Sequence, residues 1–428
     1  MTPRPIRIGV LGHGTVGSSL VRLLNQQHVS IAARNGIELV VTRIAVREPA
    51  KHVGTLPAAM LTDDPWSVVH DPEIDLVVEV MGGIESTLPL VLAALENRKP
   101  VITANKALLA NHGGELFAAA EKAGVDLLFE AAVCGGIPVV RTMRESLRGE
   151  PIRRVLGIMN GTTNYILTKM SEEGATYHDA LGEAQALGFA ESDPSADVDG
   201  HDAAAKLSIL ARVAFGMSIS AGDIHCEGIT MLDQGDISIA RRLGYVVKLI
   251  GIAERQEDHS VLARVHLAML PTGHPLASVR GSYNAVVVDG EFAGTLMFYG
   301  RGAGGDPTAS AVLGDVIDGA LNLLRGTCAT LGHLQTPHLG SMSSSSGEYL
   351  VPLEVADEPG VLHAVAGVFS RHGVSISAAE QDKVGRGARL VFLTHDAVEE
   401  NIHACLAELR TLATVHRVGG VLRVLSES

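Results

Sequence analysis

The stretch GFAESDPSADVDGHDAAAKL, residues 188 to 207, sets Glu191, Asp193, Asp197, Asp199 and Asp202 ahead of Lys206. Carboxylates at this density can receive a cationic group. An amine beside them can move a proton if burial brings its pKa toward neutrality. Asp202 and Lys206 stand four residues apart, so on a helix they share one face and the acid can orient the amine. The same spacing is that of an ordinary surface ion pair, worth about 0.2–0.5 kcal/mol, and acids also decorate helix starts. Spacing alone leaves both readings open. Asp193 and Asp199 precede Pro194 and Gly200, which suits turns or caps, and His201 reads as a helix-start or pocket-wall residue rather than a metal ligand.

A second chemistry is written near the start. IGVLGHGTVGSSL holds Gly12-x-Gly14-x-x-Gly17 between a strand-like and a helix-like run. There the first glycine permits a tight turn, the second lets backbone approach a pyrophosphate, and the third lets helix pack on strand. The helix N-terminus adds free N–H groups and a positive dipole end. With Thr15 and Val16, these glycines form the candidate cofactor-binding set. The next strand ends in Ala45-Val46-Arg47-Glu48. Arg47 could meet a 2′-phosphate and Glu48 a free ribose, so NADP(H) is preferred, with NAD(H) as the other reading. VITANKALLA places Lys106 just past a strand, where ligands of parallel sheets bind. Asn160-Gly161-Thr162-Thr163-Asn164 offers amides, hydroxyls and backbone N–H groups, or simply an Asn-Gly turn and helix cap. A second glycine-rich loop, Gly300 to Gly305, could bring Gly302 and Ala303 against a cofactor or serve as a link between domains.

The elements that must hold these residues alternate. IRIGVL, IELVVTRIAV, IDLVVEVM, KPVITAN and VDLLFEAAV read as strands buried on both faces, separated by helical SSLVRLLNQQ, TLPLVLAALEN and GGELFAAAEKAG. That alternation predicts an α/β fold with a Rossmann-type doubly wound parallel sheet over residues 1–140. Residues 308–332 read as an apolar helix returning to it. Residues 141–307, with IRRVLGIMN, YVVKLIGIAE and VLARVHLAML, read as an α+β substrate and dimerisation domain. Serine-rich residues 340–347 read as a flexible linker. Residues 348–428 then suggest a βαββαβ module. Net charge is −14 without a Lys/Arg stripe, which argues against nucleic acid, and the absence of an uninterrupted apolar run of membrane length argues against a span. Cys134, Cys226, Cys328 and Cys405 are scattered, so neither a zinc site nor a disulfide framework is indicated, and the N-terminal run lacks a signal-peptide pattern. The expected compartment is the cytoplasm.

Taken in order, the GxGxxG opening, TANKALLA, FEAAVCGGIPVV, GIMNGTTNYIL and the acidic segment ending in Lys206 resemble homoserine dehydrogenase over about residues 6–332. Asp357-Glu358-Pro359-Gly360-Val361-Leu362 looks like the effector loop of an ACT regulatory domain, and the whole is similar to the monofunctional form. The resemblance implies reversible, NAD(P)-dependent interconversion of L-homoserine and L-aspartate 4-semialdehyde. It assigns proton transfer to Lys206, with Asp202 and Lys106 beside it. Gly161, Thr162, Glu191, Asp197 and Asp202 become substrate-binding residues. Glu130, Val133, Gly135 and Ile137 become ligands of a monovalent cation, Na+ or K+, three of them through carbonyls. Asp357, Pro359, Gly360, Val361 and Leu362 become regulatory, with L-threonine the expected inhibitor in a homodimer or homotetramer. Two rivals stand beside this: another NAD(P)-dependent amino-acid semialdehyde oxidoreductase, and a non-catalytic amino-acid and nucleotide sensor.

Overall fold

The computed structural model describes residues 4–329, 331–384 and 387–425. The chain divides into two units. Unit 1 takes residues up to 155 with 205–223 and 284–338, and unit 2 takes 156–204, 224–283 and the chain from 339 onward.

In unit 1, six parallel strands, β1 (Arg4–Leu11), β2 (Ile37–Ala45), β3 (Leu61–Thr62), β4 (Leu76–Glu79), β5 (Val101–Thr103) and β6 (Leu127–Leu128), lie in the order β3-β2-β1-β4-β5-β6. The order reverses between β1 and β4, and the carboxyl ends of such a sheet are where ligands bind. Ile6, Ile8 and Val10 are fully buried. They share a core with Leu20 and Leu24 of the helix Thr15–Asn35 and with Ala309, Val312, Val316 and Ala320 of the helix Gly305–Arg325. The latter set recurs at three- and four-residue intervals, one face of a helix. That helix ends at Arg325, where Gly326 takes a left-handed cap, so it is shorter than the apolar run to 332 suggests. β6 is shorter too. FEAAV leaves the sheet because Glu130 opens a 3-10 turn, Glu130–Ala132, and its N–H donates to the buried Asp315 carboxylate at 2.8 Å.

In unit 2, the strand Tyr245–Arg255 runs antiparallel to Val261–Pro271, with Val265 opposite Gly251. The C-terminal module follows a strand-helix-strand-strand-helix order. Ser346–Ala356 pairs antiparallel with Gly387–Thr394, which pairs with Ile376–Val384. Tyr349, Val351, Leu353 and Val355 alternate into a core with Val361, Val365 and Phe369 of the helix Val361–Arg371 and Ile402 and Leu406 of the helix Glu399–Leu409. The strand Leu422–Val424 pairs with both Ser346–Ala356 and Val261–Pro271, making one continuous sheet. The serine-rich stretch carries contacts of its own. Gly340 N–H donates to the Val261 carbonyl at 3.0 Å, Met342–Ser344 is a 3-10 turn, and Ser346 already pairs with Val398. No helix among the described residues is long and apolar enough to cross a membrane.

Candidate active site

The phosphate cradle lies in unit 1, directly after β1. Gly12 has φ +103°, and a Cβ there would stand 2.8 Å from the Val80 carbonyl oxygen. A Cβ on Gly17 would overlap the Gly12 carbonyl oxygen, whereas one on Gly14 would meet nothing within 4 Å. Two glycines are thus required by the chain itself, and the third faces open space. Gly14 starts the helix Thr15–Asn35 with no side-chain cap and no acid in the first turn, so its leading N–H groups and dipole are available to an anion. A dinucleotide pyrophosphate fits that cradle. Thr15 is exposed and Val16 half-buried beside it. Arg47, exposed two residues beyond β2, has no ion-pair partner among the described residues, while Glu48 is paired with Lys51 at 2.7 Å. His13, inside the glycine motif, was not singled out by sequence. Its Nδ1 lies 3.3 Å from His52 Nδ1, and burial, then His52, pulls its pKa down.

At the ends of β4 and β5 a buried carboxylate organises the turn that presents Lys106. Glu79 accepts the Thr103 hydroxyl at 2.5 Å and the N–H groups of Met81 and Gly82 at 3.0 and 3.1 Å. Burial raises its pKa against those hydrogen bonds. Asn105 caps the next helix, its Oδ1 accepting Leu108 N–H at 3.0 Å and its Nδ2 donating to the Gly83 carbonyl at 2.6 Å. Lys106 is the first residue of that helix and is half-buried.

Lys206 lies on the helix His201–Phe215, which begins in unit 2 and continues into unit 1, and only 9% of it is exposed. An exposed surface pair is thereby excluded. One and a half turns further on, buried Arg212 donates to the carbonyls of Leu109 and Ala110, tying this helix to the one that Lys106 opens.

In unit 2, two of the acidic-segment residues meet at one amide. Asn160 Nδ2 donates to Asp197 Oδ1 at 2.6 Å and to Asp202 Oδ2 at 2.8 Å. Its Oδ1 accepts Thr163 N–H at 2.8 Å, capping the helix Gly161–Glu173. Thr162 donates its hydroxyl to the Phe189 carbonyl at 2.7 Å, joining that helix start to the acidic segment, and Gly161 beside it is half-buried. Glu191 is not drawn into the cluster. Its side chain is exposed, and its carbonyl accepts the Gln185 amide. Asp193 makes a turn, accepting Ser195 N–H, and His201 is exposed. Asn160 is the positioning residue that sequence quoted without assigning. Its signal was an asparagine one residue before a helix-forming Gly-Thr-Thr.

The candidate cation loop is in unit 1. Cys134 and Gly135 take successive left-handed conformations, φ +52° and +48°, and a Cβ on Gly135 would stand 2.6 Å from the Gly302 carbonyl oxygen. The two glycine loops therefore abut. A Cβ on Gly302 would overlap Asn284, so packing requires that glycine. The Val133 and Gly135 carbonyls accept no hydrogen bond among the described residues, as cation ligands would require, but the Ile137 carbonyl accepts Val139 N–H at 2.8 Å. Glu130 holds the N–H groups of Val140 and Arg141, and burial, then Asp315, pushes its pKa up to about 7. The fit to a cation is partial. In the C-terminal module, Asp357, Pro359 and Gly360 are exposed, Leu362 is half exposed, and Val361 anchors the loop in the core.

A phosphate cradle at the switch point of a parallel sheet, with half-buried Lys106 and buried Lys206 downstream, fits an NAD(P)-dependent oxidoreductase acting on a CH–OH group. Family models agree. "Homoserine dehydrogenase, NAD binding domain" matches residues 12–130, "Homoserine dehydrogenase" matches 138–317, and "ACT domain" matches 350–414. A homoserine dehydrogenase of Mycobacterium tuberculosis is 47% identical over 98% of both chains. The crystal structure of a homoserine dehydrogenase from Thiobacillus denitrificans superposes with a TM-score of 0.94 at 39% identity, covering both chains completely. A hyperthermophilic archaeal homoserine dehydrogenase in complex with NADPH matches at 30% identity and TM-score 0.63, over 74% of this chain and 98% of that one. The chain belongs to the homoserine dehydrogenase family.

Proposed function

We propose that the chain interconverts L-homoserine and L-aspartate 4-semialdehyde in the cytoplasm, on the route to threonine, methionine and isoleucine. The observation that carries this reading is the buried Lys206, one turn beyond an Asp202 held by Asn160. In the oxidation, a bound nicotinamide would supply the hydride acceptor, and Lys206 would take the hydroxyl proton. Lys106 stands beside the reacting groups. Glu191, Asp197 and Asp202 receive the substrate's ammonium end, with Gly161 and Thr162 lining the same pocket. NADP(H) is favoured over NAD(H), since Arg47 has no ion-pair partner among the described residues and Glu48 is engaged by Lys51. The Val133 and Gly135 carbonyls, which accept no hydrogen bond among the described residues, support a monovalent cation held with Glu130 and Ile137. We assign residues 1–140, with 308–332, to cofactor binding, 141–307 to substrate binding and assembly as a homodimer or homotetramer, and 348–428 to inhibition by L-threonine through Asp357–Leu362.

The test is NADPH oxidation with aspartate semialdehyde, repeated with NADH and with added threonine. Turnover of a different amino-acid semialdehyde in preference to this one overturns the substrate assignment. Binding of nucleotide and amino acid without turnover identifies a sensor instead.

A further inference from the structure

In unit 2, the helix Glu399–Leu409, the strand Leu422–Val424 and the segment Glu227–Leu232 enclose a cavity of about 460 Å³. That is the size of a small-molecule site. Its polar floor is an ion cluster. Arg423 donates to both oxygens of Glu227, at 2.8 and 2.9 Å, and also to Glu399, which is 1% exposed. The Tyr349 hydroxyl donates to Glu399 as well. Two carboxylates around one guanidinium leave one negative charge in excess within this triad. The rim carries the opposite sign. Arg410, exposed and without an ion-pair partner among the described residues, lies two turns along the helix from His403. Between floor and rim the wall is apolar: Leu232, Leu267, Ile402 and Leu406. A ligand matching this has a cationic end, a short apolar body and an anionic end.

The floor is wired to the acidic segment. Ile229 N–H donates to the Val198 carbonyl at 2.8 Å, and the Cys226 thiol to the Asp199 carbonyl at 3.2 Å. A Cβ on Gly228 would overlap the Val198 carbonyl oxygen. Residues 226–229 therefore cannot shift without moving the turn between Asp197 and Asp202.

We propose that this cavity is a second effector site, taking a small zwitterionic α-amino acid with its ammonium on the Glu227–Glu399 pair and its carboxylate at Arg410, and that occupancy is transmitted through residues 226–229 to the carboxylates clamped by Asn160. The site shares no residue with the Asp357–Leu362 loop. Its transmission arm rests on the reading that this clamp serves the reaction, whereas its binding arm does not.

The full-length protein is titrated calorimetrically with L-threonine, L-isoleucine and L-methionine in turn, as wild type and as Arg410→Glu and Thr230→Trp. Both positions are exposed, so neither change opens the core. At least one amino acid binds the wild type. Arg410→Glu weakens it about ten-fold or more, as expected for losing one charged contact, and Thr230→Trp, which fills the mouth, does the same. Asp357→Ala retains the binding. No heat with any of the three, equal affinity in both pocket variants, or loss in Asp357→Ala alone overturns the site. Hydrogen exchange over residues 196–203 slows when the cavity is filled, and unchanged exchange there overturns the transmission. These readouts are independent of turnover, so failure of the catalytic reading leaves them interpretable.

Discussion

Asn160→Ser separates the two jobs of one side chain. Serine still caps the helix Gly161–Glu173 by accepting Thr163 N–H, but it supplies neither of the donors now held at 2.6 and 2.8 Å on Asp197 and Asp202. Asp202 is buried, and a buried carboxylate deprived of a charged hydrogen bond costs about 1.5–3 kcal/mol. Asp197 is half-buried and regains water, adding little. The stability loss in Asn160→Ser is therefore about 2 kcal/mol, and Asn160→Ala, which loses the cap too, is worse by roughly 1 kcal/mol. At about 2–4 °C per kcal/mol for a unit of this size, calorimetry resolves the two. Activity follows a different rule, because both variants take the Asn160 donor away from the carboxylate one turn before Lys206. A displacement of about 1 Å at such a group lowers kcat/KM roughly 10²-fold, and the two variants lose the same amount. The measurement is steady-state NADPH oxidation beside thermal unfolding. If Asn160→Ser unfolds early yet keeps wild-type kcat and KM, the clamp is structural and the reasoning about Asp202 fails.

Lys206→Arg retains the charge but not the ability to lose a proton, so kcat falls about 10²–10⁴-fold while the melting temperature changes little; a kcat near wild type removes Lys206 as the proton carrier. Gly14→Ala meets no atom within 4 Å, so it leaves stability unchanged and weakens dinucleotide binding about ten-fold, measured by fluorescence titration. Gly17→Ala, whose Cβ overlaps the Gly12 carbonyl oxygen, destabilises by about 1–3 kcal/mol. Lys248 gives a pH signature. Burial lowers its pKa to about 8 from 10.5, opposed by Glu172 and helped by Arg280. Below pH 8 the amine is protonated in both states and folding carries the full penalty. Between 8 and 10.5 only the unfolded chain keeps the proton, so stability rises with pH, by about 3 kcal/mol across the window at roughly 1.4 kcal/mol per unit. Denaturant unfolding of wild type against Lys248→Met shows this as a pH-dependent difference, and parallel curves between pH 8 and 10 refute it.

What could be read from the sequence was what is local. The glycine motif itself spans six positions, although Val80 supplies part of the reason for Gly12, and the order of the C-terminal module follows from alternation such as Tyr349, Val351, Leu353 and Val355. Asn160 was visible as a cap because Thr163 is three residues away. Its hold on Asp197 and Asp202 spans 37 and 42 residues and left no periodic trace. The contacts of the serine-rich stretch were hidden for the same reason, since composition reports chain stiffness and not the neighbour that supplies a hydrogen-bond partner. One long-range signal was nevertheless available. YVVKLIGI and GVLRVL each carry a single cation in a strand otherwise apolar on both faces, and such a group must find partners or give up its charge. The two outcomes differ by what lies opposite. Arg423 meets the carboxylates of Glu227 and Glu399, which raise its pKa against the cost of burial. Lys248 donates instead to neutral oxygens, the Asn164 amide and the Val279 carbonyl at 2.8 and 2.6 Å, and burial lowers its pKa. A lone basic residue in a buried strand thus marks either an ion cluster, and with it a candidate binding floor, or an amine poised near neutrality. Only the partner across the fold decides which.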